Sequence, residues 1–75
     1  MRSILESPVQ IREGFRPYSI VINETGSPIT PYSTHIKVHE NPESEEYFCD
    51  GHYLDKMSDA LSDFRDRCKR DGIEL

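Results

Sequence analysis

The 75-residue chain has no long apolar run and few cysteines. Its longest aliphatic run is residues 20–22, whereas a membrane-spanning helix needs about 20 apolar residues. The start of the chain, residues 1–8, lacks the apolar stretch of a signal peptide. Cys49 and Cys68 allow at most one disulfide, fewer than a secreted domain of this size usually carries. We therefore expect a soluble protein with free thiols in a reducing cytoplasm, with no membrane contact.

The chain also has no cluster of basic residues. Fourteen acidic side chains against nine basic ones give a formal net charge of −5. A general nucleic-acid-binding protein needs Lys and Arg to displace the counterions of phosphate, so we expect no direct nucleic-acid binding. The charge is uneven, because residues 1–39 hold four bases and three acids (+1) and residues 40–75 hold five bases and eleven acids (−6). The acidity belongs to the C-terminal half.

The N-terminal half predicts β-strands. Residues 18–23 and 34–39 both alternate with a period of two, which places Tyr18, Ile20 and Ile22 on one face of the first strand. In the second strand, one face is apolar and the other, with Lys37 and two histidines, is expected to be wet. Turn residues at 24–28 indicate a bend between them.

Two further short segments have strand character. The alternation around Val9 and Ile11 leaves open whether the first 16 residues contain a strand. Residues 47–49 predict a short last strand that stops at a turn formed by Asp50 and Gly51.

The C-terminal segment predicts one amphipathic helix over about residues 53–70. Its apolar positions step by three and four residues, and Gly72 follows where a glycine commonly ends a helix. These apolar positions are Leu54, Met57, Leu61, Phe64 and Cys68. The whole chain is therefore interpreted as a single α+β domain, residues 1–75. It has an antiparallel β-meander of three or four strands with one C-terminal helix packed on one face. A core this small gives only a few kcal/mol of net stability, so either a monomer or a homodimer is expected.

Four aspartates of the predicted helix lie nearly opposite its apolar stripe: Asp55, Asp59, Asp63 and Asp66. Like charges at i,i+4 cost a few tenths of a kcal/mol, and Asp is a poor helix former. We therefore interpret this ridge as a contact surface for a basic protein partner, extended by the acidic loop with Glu43, Glu45 and Glu46. The alternative is an ordinary solvated face, in which Asp63 pairs with Arg67 and Asp66 with Arg70.

Three other candidate sites are weaker. His35, His39, Cys49 and His52 are zinc-ligand types, but the two strand histidines would lie roughly 13 Å apart, so we expect no metal and no cofactor. His52 beside Asp50 is a conceivable acid/base pair, although hydrogen bonding of His52 to the turn is the simpler interpretation. No Gly-rich phosphate loop or Gly-x-Ser-x-Gly sequence is present, and we expect no catalysis. Tyr32, which we expect to be exposed, is a second candidate contact residue.

Two resemblances extend this interpretation. The order of residues 19–23, residues 34–39 and Gly51, followed by a helix with Met57, Ala60, Leu61 and Phe64, resembles the N-terminal module of HicB-type antitoxins. That resemblance covers about two-thirds of the chain and implies a module that neutralises a small toxin. The size, acidity and single α+β domain also resemble small phage proteins that inhibit host defences, including anti-CRISPR proteins. This second resemblance implies a phage-type inhibitor that occupies a basic surface of a nuclease or effector complex.

Overall fold

The computed structural model of the chain describes residues 2–39 and 46–75. In chain order its elements are β1 (Arg2–Glu6), β2 (Tyr18–Glu24), β3 (Tyr32–Val38), β4 (Tyr47–Leu54) and α1 (Met57–Arg70). The four strands form one antiparallel sheet in the order β1-β2-β3-β4. The α+β fold, a β-meander with one C-terminal helix, is confirmed.

The apolar core lies between one face of the sheet and α1. Alternate residues of β2 and β3 face the helix and pair directly across the strands, as Ile20 does with Ile36 and Ile22 with Thr34. The buried members of this core are Ile20, Ile22, Ala60, Phe64, Cys68 and Ile73. Leu54, Met57 and Leu61 are half-buried against it. Since covering one large side chain is worth about 1.5–3 kcal/mol, these few residues hold the helix on the sheet.

The other face of the sheet, called here the open face, carries no helix. The expectation that the polar side chains of β3 are wet on this face is wrong, since His35 is only 5% exposed. The rings of Phe48 and Tyr53 each lie 5.6 Å from the His35 ring, centroid to centroid. Lys37 Nζ lies 2.7 Å from a carboxylate oxygen of Glu6. Long side chains of the edge strands thus cover the residues between them.

β4 is longer than predicted because Asp50 and Gly51 form a bulge inside the strand rather than a turn at its end. Asp50 has a positive φ of 51°, and the pairing with β3 shifts register between Thr34 and Ile36. A Cβ at Gly51 would lie 2.5 Å from Nε2 of His35, so glycine is required there. The strand continues to Leu54.

Because β4 is longer than predicted, the helix begins later in the sequence. α1 begins at Met57 and not near residue 53, so Leu54 packs from β4 and Asp55 precedes the helix. The end of the helix agrees with the prediction. Gly72, with a φ of 68°, donates from its backbone to the carbonyl of Lys69, and Ile73 donates to that of Cys68. This pair of bonds is a Schellman motif, which satisfies the last helix carbonyls.

The N-terminal strand lies at residues 2–6, before the alternation at Val9 and Ile11, which are both exposed in the connection between β1 and β2. That connection is nevertheless fixed to the sheet. Gln10 and Tyr18 exchange two backbone hydrogen bonds of 2.7 and 3.1 Å. None of the helical residues in the described part of the chain forms a segment long and apolar enough to cross a membrane.

Candidate functional site

A polar cluster joins α1 to β3 and β4. Its members are Thr34, His52, Asp63 and Arg67, and we call it the Asp63 cluster. The Asp63 carboxylate accepts a hydrogen bond from the Thr34 hydroxyl, and its Oδ2 lies 2.9 Å from Nδ1 of His52. Nε of Arg67 lies 3.4 Å from the same oxygen. One carboxylate of the helix therefore binds groups from two strands and from its own helix.

Arg67 is the buried cation of this cluster, with a side chain only 7% exposed. Its Nη2 donates to the backbone carbonyl of Asp50, in the β4 bulge. Its Nε also lies 3.3 Å from Nδ1 of His52. Because Nδ1 cannot both donate to Asp63 and accept from Arg67, we assign its proton to the stronger bond with the carboxylate.

The electrostatics of the cluster keep Asp63 ionised. Burial raises the pKa of Asp63, but the hydrogen bonds from Thr34 and His52 and the positive charges of His52 and Arg67 outweigh it. The net result is a pKa below the usual value for aspartate. The cluster is thus an ion pair within α1, Asp63 with Arg67, that is hydrogen-bonded to both β3 and β4.

This cluster corrects the predicted ridge of four aspartates. Asp63 has a side chain only 26% exposed and points to β4, because Thr34, His52 and Arg67 all supply donors on that side. Asp55 lies in the bend before the helix. Asp59 and Asp66 remain exposed on α1, seven residues and therefore about 10 Å apart along its axis. Asp55, Asp59 and Asp66 are called the acidic surface below.

The carboxylates of the acidic surface are unpaired in the part of the chain that the structure describes. No hydrogen bond or ion pair within residues 2–39 and 46–75 engages the carboxylates of Asp55, Asp59 or Asp66. Of the two i,i+4 pairs considered as an alternative, Asp63 with Arg67 forms. No ion pair or hydrogen bond joins Asp66 to Arg70 in the described part of the chain. Since Arg67 is drawn into the Asp63 cluster, it does not neutralise its exposed neighbours.

The predicted extension of this surface is only partly described. Glu43 and Glu45 lie outside the described residues. Glu46 binds across the open face instead, with carboxylate oxygens 3.0 Å from Lys37 Nζ and 3.3 Å from His39 Nδ1. Glu46 therefore lies on the side of the sheet away from α1.

Tyr32 is not exposed as expected. It is half-buried and packs against the core, because its register opposite Glu24 and Leu54 turns it to the helix face. Tyr53, by contrast, is exposed on the open face, where its ring lies against that of His35.

The four candidate zinc ligands are divided between the two faces of the sheet. His35 and His39 lie on the open face, whereas Cys49 and His52 lie on the helix face with Ile36 and Thr34. Within residues 2–39 and 46–75, no group of three or more His, Cys, Asp or Glu side chains is placed to hold a metal ion. Cys49 and Cys68 are both free.

The conceivable catalytic pair of His52 with Asp50 is replaced by the pair of His52 with Asp63. A hollow of about 340 Å³ lies beside it. Its walls are Ile20, Ile36, Asp50, Gly51, His52, Arg67, Arg70 and Asp71. These walls place no hydroxyl or thiol nucleophile next to the imidazole. The only sequence signal for the cluster was the i,i+4 spacing of Asp63 and Arg67, and it gave no indication of His52 or Thr34.

Comparison of the chain with protein-family models, curated proteins and solved structures finds no match.

Proposed function

We propose that this chain is a non-enzymatic protein-binding domain whose acidic surface docks on a basic surface of a partner protein. The observation that carries the proposal is that the exposed carboxylates of Asp55, Asp59 and Asp66 have no partner within residues 2–39 and 46–75. Arg67 pairs with Asp63. The exposed bases of this segment, Lys56, Arg65, Lys69 and Arg70, form no ion pair with the three carboxylates in the described part of the chain. An uncompensated carboxylate is available to a cation on another molecule.

Charge of this kind acts chiefly on the rate of association. A single exposed ion pair is worth only about 0.2–1 kcal/mol, whereas a patch of one sign steers an oppositely charged partner and accelerates encounter. Aspartate suits such a surface because its short side chain loses little rotational freedom when it meets Lys or Arg. The affinity of the complex would depend on further contacts around the patch.

More specifically, we propose that the chain is an inhibitor encoded by a phage. It would act in the host cytoplasm, where Cys49 and Cys68 stay reduced. Its target is a nuclease or effector complex of a host defence of the CRISPR type, whose basic surface normally meets nucleic acid. The support is the small size, the net charge of −5 and the single α+β domain. The HicB-like toxin-neutralising alternative stays a prediction, and its expected contact residue Tyr32 is half-buried.

The test begins with affinity capture from the native host and identification of the bound protein. Association rates are then measured at several salt concentrations for the wild type and for Asp59→Lys and Asp66→Lys. We expect each substitution to slow association at least fivefold at low salt and to flatten its salt dependence.

Glu74→Lys is the matched control, since it changes the net charge equally at an exposed carboxylate outside the acidic surface. It should associate nearly as the wild type does. If Asp59→Lys, Asp66→Lys and Glu74→Lys all had the same association rate, the acidic surface would take no part in binding.

A further inference from the structure

A second hollow, of about 550 Å³, lies on the helix face between the β1–β2 connection and the end of the sheet. Ile36 and Val38 of β3 line it with the rings of Phe15, Tyr18 and Tyr47. Arg12, Arg16 and Asp71 add charges of both signs to its lining. Unlike the hollow beside His52, this one is mainly apolar and aromatic.

The connection that carries Phe15 is braced against the rest of the domain. The Arg12 guanidinium lies over the Tyr18 ring, 5.7 Å from its centroid, and donates to the backbone carbonyl of Asp71. Phe15 donates from its backbone to the carbonyl of Arg12, closing a turn that contains Gly14. This bracing holds the Phe15 side chain at the hollow while leaving it 73% exposed.

We propose that this face is an interface between two copies of the chain, in which Phe15 of each copy packs into the hollow of the other. A two-fold symmetric contact needs one patch that carries both a projecting group and the cavity that receives it. Phe15 and the hollow meet this requirement on the same surface. Exposed aromatic side chains grouped around an apolar depression are typical of protein interfaces.

A contact between two copies of an acidic chain needs a patch in which both signs of charge are present. Two chains of net charge −5 repel each other, and most of the excess lies in residues 40–75. The hollow is such a patch, with Arg12 and Arg16 beside Asp71 in its lining. Pairing through the sheet edges is disfavoured, because irregular register interrupts both β1 and β4.

The available area predicts a weak dimer. Phe and Tyr side chains bury about 150–250 Å² each when fully covered. Phe15, the exposed part of Tyr47, the floor of the hollow and the arginine stems offer on the order of 500 Å² per copy, or about 1,000 Å² in total, the lower limit for a specific interface. We therefore expect dissociation in the range of about 1 μM to 1 mM.

Sedimentation velocity over this concentration range tests the proposal. The wild type should change from monomer to dimer as concentration rises, and Phe15→Asp should remain monomeric throughout. Ile29→Asp is the matched control, since Ile29 is 80% exposed in the β2–β3 connection and the substitution adds the same charge. It should dimerise as the wild type does.

A mixed sample of isotope-labelled and unlabelled protein locates the interface independently. We expect nuclear Overhauser effects between copies, from the Phe15 ring to the methyl groups of Ile36 and Val38. A wild type that is monomeric at all concentrations would overturn the proposal, as would dimerisation of Phe15→Asp with wild-type strength. The proposed dimer and the proposed binding through the acidic surface can be tested separately, because partner binding can be measured on the monomeric Phe15→Asp variant.

Discussion

His52 and Asp63 join the last strand to the helix through a 2.9 Å contact between Nδ1 and Oδ2. The contact is one branch of a cluster in which Asp63 also faces Arg67, whose side chain is almost fully buried. A buried cation is costly unless it is paired, so Asp63 is the residue on which this junction depends.

Asp63→Asn should therefore destabilise the domain strongly. The amide keeps the shape of the side chain but leaves the Arg67 charge without its counter-ion, and breaking such a pair costs about 3 kcal/mol. The free energy of unfolding in urea measures the loss. Asp59→Asn, an exposed position two residues from the start of the same helix, should change it by less than about 0.5 kcal/mol. Equal effects of the two substitutions would contradict the role given to the Asp63 cluster.

Stability should fall with acid in two steps. Burial lowers the pKa of His35 below its ordinary 6.5, and the charges of Arg67 and His52 lower it further. The folded state thus favours the neutral imidazole, and its contribution, complete above pH 6.5, is lost as the pH falls through the lowered pKa. The lowered pKa of Asp63 acts later, since its contribution is present above the usual 3.8 and disappears as the pH falls below it.

Unfolding free energies from neutral pH down to about pH 3 would show both steps. His35→Gln should remove the slope of the first step and leave the second. If His35→Gln kept the first fall in stability, that step would belong to another titrating group.

The sequence predicted the parts of this fold that depend on periodicity. Ile20 and Ile22 alternate, Phe64 and Cys68 recur at helical spacing, and all four occupy the core as expected. The sequence did not predict the bulge at Asp50, because Asp-Gly is also a strong signal for a hairpin turn. That single difference moved Leu54 and Asp55 off the helix.

The interior polar groups were not predictable from the local pattern. Asp63 has the same spacing as the exposed aspartates, and only contacts from β3 and β4 turn it inward. Likewise, the polar appearance of β3 gave no sign that Phe48 and Tyr53 lie against His35. Such contacts depend on how strands far apart in the sequence are aligned.

Replacing Asn23 by valine should stabilise the protein. The Asn23 side chain is buried in β2 on the open face, and neither its oxygen nor its nitrogen has a hydrogen-bond partner among the residues that the structure describes. An unsatisfied buried amide costs about 1–3 kcal/mol, and a β-branched residue suits a central strand. We expect Asn23→Val to raise the free energy of unfolding by about 1 kcal/mol.

Ser33, directly opposite Asn23 on β3, provides the control. Its hydroxyl lies 3.1 Å from Nδ1 of His35, so Ser33→Val loses a real contact and should lower stability. If Asn23→Val were destabilising as well, the amide must have a partner in solution.

Because Gly51 packs closely under His35, we expect substitutions at these two positions to have coupled effects on stability. In Gly51→Ala, the new Cβ would lie 2.5 Å from Nε2 of His35, and the ring must move away from Phe48 and Tyr53. Overpacking of this kind costs about 1–3 kcal/mol. His35→Ala removes the obstructing ring, so adding Gly51→Ala to that variant should cost much less than it does in the wild type. Unfolding free energies of the two single variants and the double variant give the coupling, which we expect to be at least about 1 kcal/mol. Additive effects would mean that the strand backbone at the bulge, rather than the His35 ring, determines the need for glycine.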